Sequence, residues 1–92
     1  MSCLCWNVRG LGNPRAFSAL KRLMRKYSPD FIFLSETKLF GSKAAKIRDL
    51  MVSYDVFWVD SVGSSGGLMI FWQKELKVTI LSFSIGHIDA RI

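Results

Sequence analysis

Hydrophobic and polar positions along the first half of the chain predict a strand, a helix and a second strand. CLCWNV (3–8) alternates between two faces, as in a strand covered on both sides. Asn13 is a good N-cap and Pro14 suits the first helical position, so a helix should follow. Its apolar stripe is Phe17, Leu20, Met24 and Tyr27. After Ser28-Pro29, the run FIFL is too short and too rich in aromatic and branched residues for a helix, and it predicts a buried strand.

The second half of the chain predicts one short helix and a set of strands. Ser42 to Met51 has helical spacing of its apolar residues and a capping serine. The residues that follow predict three strands in an antiparallel meander, at 54–60, 67–73 and 78–84. HIDARI (87–92) predicts the opening of another strand. The glycine cluster at 63–67 lacks the Lys-Ser/Thr and the helix of a phosphate-binding loop, so we interpret it as a hairpin loop.

The strand, helix, strand unit predicts where two polar side chains lie. A crossover of this length favours parallel strands with a right-handed connection, so both carboxyl ends should emerge at one edge of the sheet. Asn7 and Glu36 would then face one crevice, where open sheets bind ligands. One carboxylate there suits Mg²⁺, which keeps several waters. Taken singly, Asn7 is more often a turn former, and a lone glutamate is more often a solvated strand end.

The charge distribution indicates a polyanionic partner. The 92 residues carry a formal net charge of +6. Ten of the thirteen Lys and Arg lie between Arg9 and Arg48, against only Asp30 and Glu36 as acidic residues. Such a field attracts nucleic acid, although surface lysines equally serve solubility.

The composition predicts a soluble, globular, intracellular protein of a single domain (1–92). Half of the residues are hydrophobic, which excludes a disordered tail. No uncharged apolar run approaches the roughly 20 residues of a membrane span. The segment MSCLCWNVRG has neither a basic leader nor an apolar run of signal-peptide length, so we expect no export. A nuclear location is compatible with these features.

Cys3, Cys5 and His87 are weaker candidates for chemistry. The two cysteines supply neither a disulfide framework nor four zinc ligands, and we expect them to be small buried hydrophobes. His87 has Asp89 two residues on but no Ser or Cys nucleophile context, so a turn histidine is favoured over a general acid or base.

Three segments together carry a family resemblance across essentially the whole chain: CWNVRGLGNP, SPDFIFLSETK and GGLMIFW. They resemble the N-terminal half of the deoxyribonuclease-I-like endonuclease/exonuclease/phosphatase family. The resemblance is closest to the endonuclease domain of plant LINE-type (non-LTR) retrotransposons.

The resemblance implies an α+β fold, the N-terminal half of a four-layer α/β/β/α sandwich. One mixed sheet would carry two helices on one face, and the second sheet would be largely missing. It also implies that Glu36 binds a divalent metal, Mg²⁺ or Mn²⁺, and that Asn7 helps to organise the metal and phosphate site. Arg9 and Lys38 match the same motifs and could approach phosphates. The implied substrate is nucleic acid, DNA more than RNA.

The family's second half supplies an Asp-x-Asn pair and a closing Asp-His motif, and neither occurs in this sequence. Three hypotheses follow. The chain is a truncated metal-dependent phosphodiesterase with negligible activity alone, to be completed by a C-terminal half. Alternatively, it is a non-enzymatic basic binder of nucleic acid, or a retroelement remnant that exposes apolar surface.

Overall fold

The computed structural model describes residues 2–91, which form two helices and six strands. The first helix begins where the sequence predicts: the Asn13 side chain accepts a hydrogen bond from the Arg15 backbone N–H at 2.9 Å, and Pro14 is the first helical residue. It ends at left-handed Ser28, whose N–H donates to the Met24 carbonyl. The elements are β1 (Cys3–Asn7), α1 (Pro14–Tyr27), β2 (Phe31–Ser35), α2 (Ser42–Leu50), β3 (Tyr54–Val59), β4 (Leu68–Gln73), β5 (Thr79–Ser84) and β6 (His87–Arg91).

The main sheet is mixed, with the strand order β1-β2-β4-β3. β1 and β2 are parallel, as the crossover helix predicts, while β4 runs antiparallel to both of its neighbours. Five of the six β4 residues are buried, because this strand lies inside the sheet and is covered on both faces. The α+β prediction of a mixed sheet with two helices is therefore confirmed.

Both helices contribute to the hydrophobic core on one face of this sheet. Side chains of the two helices pack there against alternate residues of the strands. The fully buried members include Leu20, Ile32, Leu34, Ala44, Met69 and Phe71.

The predicted meander is wrong in its last strand. β5 does not continue the main sheet but pairs with β6 in a separate two-stranded sheet. This hairpin lies over the face opposite the helices, where the Phe83 ring meets Phe57 edge-on at 5.1 Å. A small second sheet is thus present, although the residues that follow β4 cannot be assigned to it by alternation alone.

Candidate active site at the carboxyl ends of β1 and β2

The carboxyl ends of β1 and β2 lie side by side, as the sequence predicts. Asn7 is the register partner of Ser35, the last residue of β2. One step further, the Val8 N–H donates to the Ser35 carbonyl at 3.1 Å. Glu36 follows Ser35 directly, so its backbone and that of Asn7 share one edge of the sheet.

The loop that carries Glu36 is held by backbone hydrogen bonds on both sides. On the β1 side, Gly10 and Leu11 donate to the carbonyls of Glu36 and Thr37, both at 2.9 Å. On the β4 side, Thr37 donates to the Gly67 carbonyl at 3.1 Å, and Lys38 donates to that of Gly66 at 2.8 Å. The pairing of the sheet therefore extends past its strand ends, and the site loop is fixed as part of the scaffold.

Thr37 anchors this loop in the protein interior. It is only 1% exposed, and its hydroxyl accepts a hydrogen bond from the Leu39 N–H at 3.3 Å. Gly67 lies so close to this hydroxyl that any side chain at position 67 would overlap it. A buried threonine between exposed Glu36 and exposed Lys38 thus turns both charged side chains away from the core.

The charged candidates of this edge share an unusual backbone conformation. Arg9, Glu36 and Lys38 have positive φ angles of 50°, 52° and 58°. Non-glycine residues rarely adopt this region, and holding them there costs about 1–3 kcal/mol each. Such strain clusters at functional sites, and here it falls on three of the four residues that the sequence singles out.

The donor groups at this edge fit a hard cation that keeps most of its water. Glu36 offers one exposed carboxylate and Asn7 one exposed amide, and Mg²⁺ commonly takes only one or two protein carboxylates. Within residues 2–91, no cluster of three or more His, Cys, Asp or Glu side chains could hold a metal ion. Asn7 and Glu36 alone would therefore fill only part of the coordination shell of such a cation.

The electrostatic surroundings of this edge favour phosphate. Arg9 and Lys38 are exposed beside Glu36, at the same two loops. The ion pair found among residues 2–91 joins Arg48 to Asp49, so neither of these two cations is neutralised by a carboxylate of the described chain.

The expectation that Cys3 and Cys5 are buried is wrong. Both thiols are exposed, and their sulfur atoms lie 3.7 Å apart on one face of β1. Alternation placed them correctly on a shared face, but the β5–β6 hairpin covers that face incompletely. Partial burial raises the pKa of the Cys3 thiol, and the neighbouring Cys5 thiol raises it further through a hydrogen bond and its charge.

His87 lies far along the chain from the Asn7 edge, in the β5–β6 hairpin. Its ring nitrogens hydrogen-bond the hydroxyls of Ser84 at 2.6 Å and Ser82 at 3.2 Å. It is exposed and begins β6, which agrees with a turn histidine beside a strand.

A comparison with protein-family models decides the family. The model described as "Endonuclease/Exonuclease/phosphatase family" matches residues 4–92. The chain belongs to this family. A search of curated protein sequences finds no significant match.

Solved structures with the same fold include an AP endonuclease and a 3'-5' exonuclease. The AP endonuclease LMAP from Leishmania major is 26% identical with a TM-score of 0.67, and the match covers 80% of this chain and 24% of that one. Humanized TDP2 from D. rerio is 26% identical with a TM-score of 0.59, covering 89% and 37%. The 3'-5' exonuclease NExo from Neisseria meningitidis shares the fold at 22% identity and a TM-score of 0.68, covering 87% and 30%. This endonuclease/exonuclease/phosphatase chain thus spans between 24% and 37% of the length of these neighbours.

Two residues that position the Glu36 loop do not stand out in the sequence. Thr37 and Gly67 fix the Glu36 loop, yet Gly67 was interpreted only as part of a hairpin loop. The available signal was two consecutive glycines at the start of a strand, which often mark a close approach of another backbone.

Proposed function

We propose that residues 1–92 are the N-terminal part of a metal-dependent phosphodiester hydrolase domain of the endonuclease type. The observation that carries this proposal is the placement of Asn7 beside the Glu36 loop, which is hydrogen-bonded on both sides and strained at its charged residues. The family match supports hydrolysis of a phosphodiester, and the AP endonuclease among the structural neighbours favours DNA over RNA as the substrate.

In this proposal Glu36 holds Mg²⁺ or Mn²⁺ weakly, together with water and Asn7. The bound metal would polarise a phosphoryl oxygen and support attack by water. Asn7 donates its amide N–H to a phosphate oxygen or orients the Glu36 carboxylate. Arg9 and Lys38 draw the phosphate to this edge, where two loops already hold their backbones in place.

The same proposal gives the chain negligible activity by itself. Groups that act together in catalysis lose orders of magnitude when one of them is removed. The described residues contain the carboxylate and amide of the site but no third metal ligand beside them. A C-terminal half would complete the domain.

The experiment is nicking of supercoiled plasmid with Mg²⁺, comparing wild type, Glu36→Gln and the control Glu75→Gln. Glu75 is an exposed glutamate in the turn after β4, far along the chain from the site, so its variant has the same change of charge. We expect no nicking above background for all three. Robust nicking that only Glu36→Gln removes would contradict inactivity but keep the site assignment. Nicking that survives Glu36→Gln would contradict the site itself.

The net charge of +6 favours a second candidate function, in which the chain binds nucleic acid without cutting it. Binding through phosphate contacts should weaken steeply with salt and ignore base sequence. This candidate requires no metal, so the affinity for nucleic acid should not fall when EDTA is added or when Glu36 is replaced by glutamine. An affinity that stays flat between low and high salt would exclude it.

The resemblance of WNVRGLGNP and ETK to LINE-type endonucleases supports an origin in a non-LTR retrotransposon, and therefore an intracellular chain.

A remnant without selected function should expose apolar surface, and β5 and the adjoining turn do so. Leu81, Phe83 and Ile85 are 49%, 59% and 72% exposed. Size-exclusion chromatography and a thermal melt distinguish the two outcomes: aggregation supports a remnant, whereas a monomer with a sharp cooperative melt contradicts it.

A further inference from the structure

A groove of about 620 Å³ lies between the start of α1 and one face of α2, next to the Asn7–Glu36 edge. Its walls come from the loop after β1, the loop after β2, and the two helices. We call it the basic groove and define it by Arg9, Phe17, Lys38, Lys43, Lys46 and Leu50. Neither Asn7 nor Glu36 lines it, but it adjoins the proposed metal site and shares Arg9 and Lys38 with it.

Four cationic side chains line the walls of the basic groove. Arg9 and Lys38 stand at the end nearest the strand edge, and Lys43 and Lys46 extend the charge along α2. Lys43 and Lys46 are three residues apart on a helix, so they project from the same face. None of the described residues that line the groove carries a carboxylate, so nothing within it offsets these cations.

The interior of the basic groove is apolar. Among its lining side chains, Leu11 and Leu39 are buried, Phe17 is half-buried and Leu50 is 53% exposed. A groove with cations at its walls and an aromatic and aliphatic interior suits a ligand that is anionic at one end and flat and apolar at the other. A nucleoside phosphate has this chemistry, because a base can stack on an aromatic ring while Lys and Arg bind its phosphate.

We propose that the basic groove binds one nucleotide, with the phosphate at Lys43 and Lys46 and the base against Phe17 and Leu50. This extends phosphate binding from the strand edge along α2. The inference rests on the second candidate function, binding of nucleic acid without cutting, and adds the place and the residues that bind one nucleotide. It requires neither a metal nor the Glu36 carboxylate.

The test measures binding of a fluorescein-labelled single-stranded oligothymidylate in EDTA as a function of salt. The salt slope is the slope of the logarithm of the binding constant against the logarithm of the salt concentration. Replacing a lysine that contacts a phosphate should reduce its magnitude by roughly 1. We therefore expect Lys43→Gln/Lys46→Gln to weaken binding and flatten the slope. The control Lys26→Gln/Lys77→Gln removes the same charge outside the groove and should retain the wild-type slope. All four lysines are exposed, so both variants should fold.

The apolar side of the groove is tested by competition with thymidine monophosphate and with inorganic phosphate. Leu50→Gln should weaken competition by the monophosphate and leave competition by inorganic phosphate unchanged. The control is Val52→Gln, at an exposed position outside the groove, and it should leave competition by both compounds unchanged. Competition by the monophosphate assigns a free nucleotide as the ligand, while binding of the oligonucleotide alone assigns a nucleotide within a strand.

Three results would overturn the proposal. One is an equal salt slope in the groove variant and its control. Another is measurable competition by inorganic phosphate that is as strong as that by the monophosphate. The third is loss of binding in Glu36→Gln, which would count against a groove that does not require the Glu36 carboxylate. Because every measurement is made in EDTA, and is repeated with Glu36→Gln, a failure of the metal site would not affect the outcome.

Discussion

The backbone of Gly67 lies directly against the side-chain hydroxyl of Thr37. This contact joins the start of β4 to the loop that carries Glu36, beside the hydrogen bond from the Thr37 N–H to the Gly67 carbonyl. The loop that carries Glu36 can therefore take this position only because residue 67, at the start of the neighbouring segment, has no side chain.

Replacing Gly67 by alanine should destabilise the protein strongly. The new Cβ would overlap the Thr37 hydroxyl and lie 3.1 Å from the Lys38 nitrogen, at a φ of +92°. Overpacking and left-handed strain together should cost about 3 kcal/mol of unfolding free energy. Gly66→Ala is the matched control: its φ is +79°, but its Cβ meets nothing within 4 Å, so we expect about 1 kcal/mol. Urea denaturation measures both, and equal losses would contradict the close contact.

Replacing Lys38 by glycine should stabilise the fold relative to Lys38→Ala. Alanine keeps the strain of the positive φ at this position, whereas glycine relieves it, by about 1 kcal/mol. At Lys46, inside α2, the order should reverse, since glycine is about 1 kcal/mol worse than alanine in a helix. Urea denaturation of the four variants checks this. If the glycine variant were less stable than the alanine variant at position 38, as it is expected to be at position 46, the backbone of Lys38 would be unstrained.

The Tyr54 hydroxyl should stabilise the fold in a pH-dependent manner. It donates to the Pro29 carbonyl at 2.9 Å, and Tyr54→Phe should cost about 1 kcal/mol near neutral pH. Burial, followed by the charges of Asp30 and Glu75, raises the pKa of Tyr54. A raised pKa means that the stabilisation is complete below about 10, the ordinary pKa of tyrosine, and is lost as pH rises above it.

The measurement is the difference in unfolding free energy between wild type and Tyr54→Phe from pH 7 to pH 11. We expect this difference to shrink above pH 10. Tyr27→Phe, at a residue that is 57% exposed, should change little at any pH. A difference for Tyr54→Phe that stays constant with pH would contradict the burial of this phenol.

The thiols of Cys3 and Cys5 should both react with a soluble disulfide reagent in the folded protein. Because the pKa of Cys3 is raised, its thiolate is scarce near neutral pH and its reaction should accelerate as pH increases. Cys5→Ser removes the neighbouring thiol and should speed the labelling of Cys3 at a fixed pH. Labelling that requires urea would show that the hairpin covers both residues.

The features predicted from the sequence are those with a local physical cause. Asn13 and Pro14 start α1 because one caps a backbone N–H and the other lacks one. The parallel pairing of β1 with β2 follows from a crossover that contains a helix. Together these two facts placed Asn7 and Glu36 at one edge.

The features that escaped prediction depend on contacts between distant segments. β5 follows β4 in sequence, but pairing with β6 gives its backbone a complete partner away from the main sheet. Alternation assigned Cys3 and Cys5 to one face but could not say how much of that face is covered. Likewise, the positive φ of Glu36 is imposed by hydrogen bonds from Gly10 and around Gly67, which no pattern within ETK reveals.

The most direct test of the proposed metal site is Mn²⁺-induced broadening of backbone amide resonances in the 92-residue chain. We predict that broadening centres on Asn7 and Glu36 and disappears in Glu36→Gln, while Glu75→Gln broadens as the wild type does. Broadening centred elsewhere, or unchanged in Glu36→Gln, would contradict the assignment of this edge as half of a magnesium site.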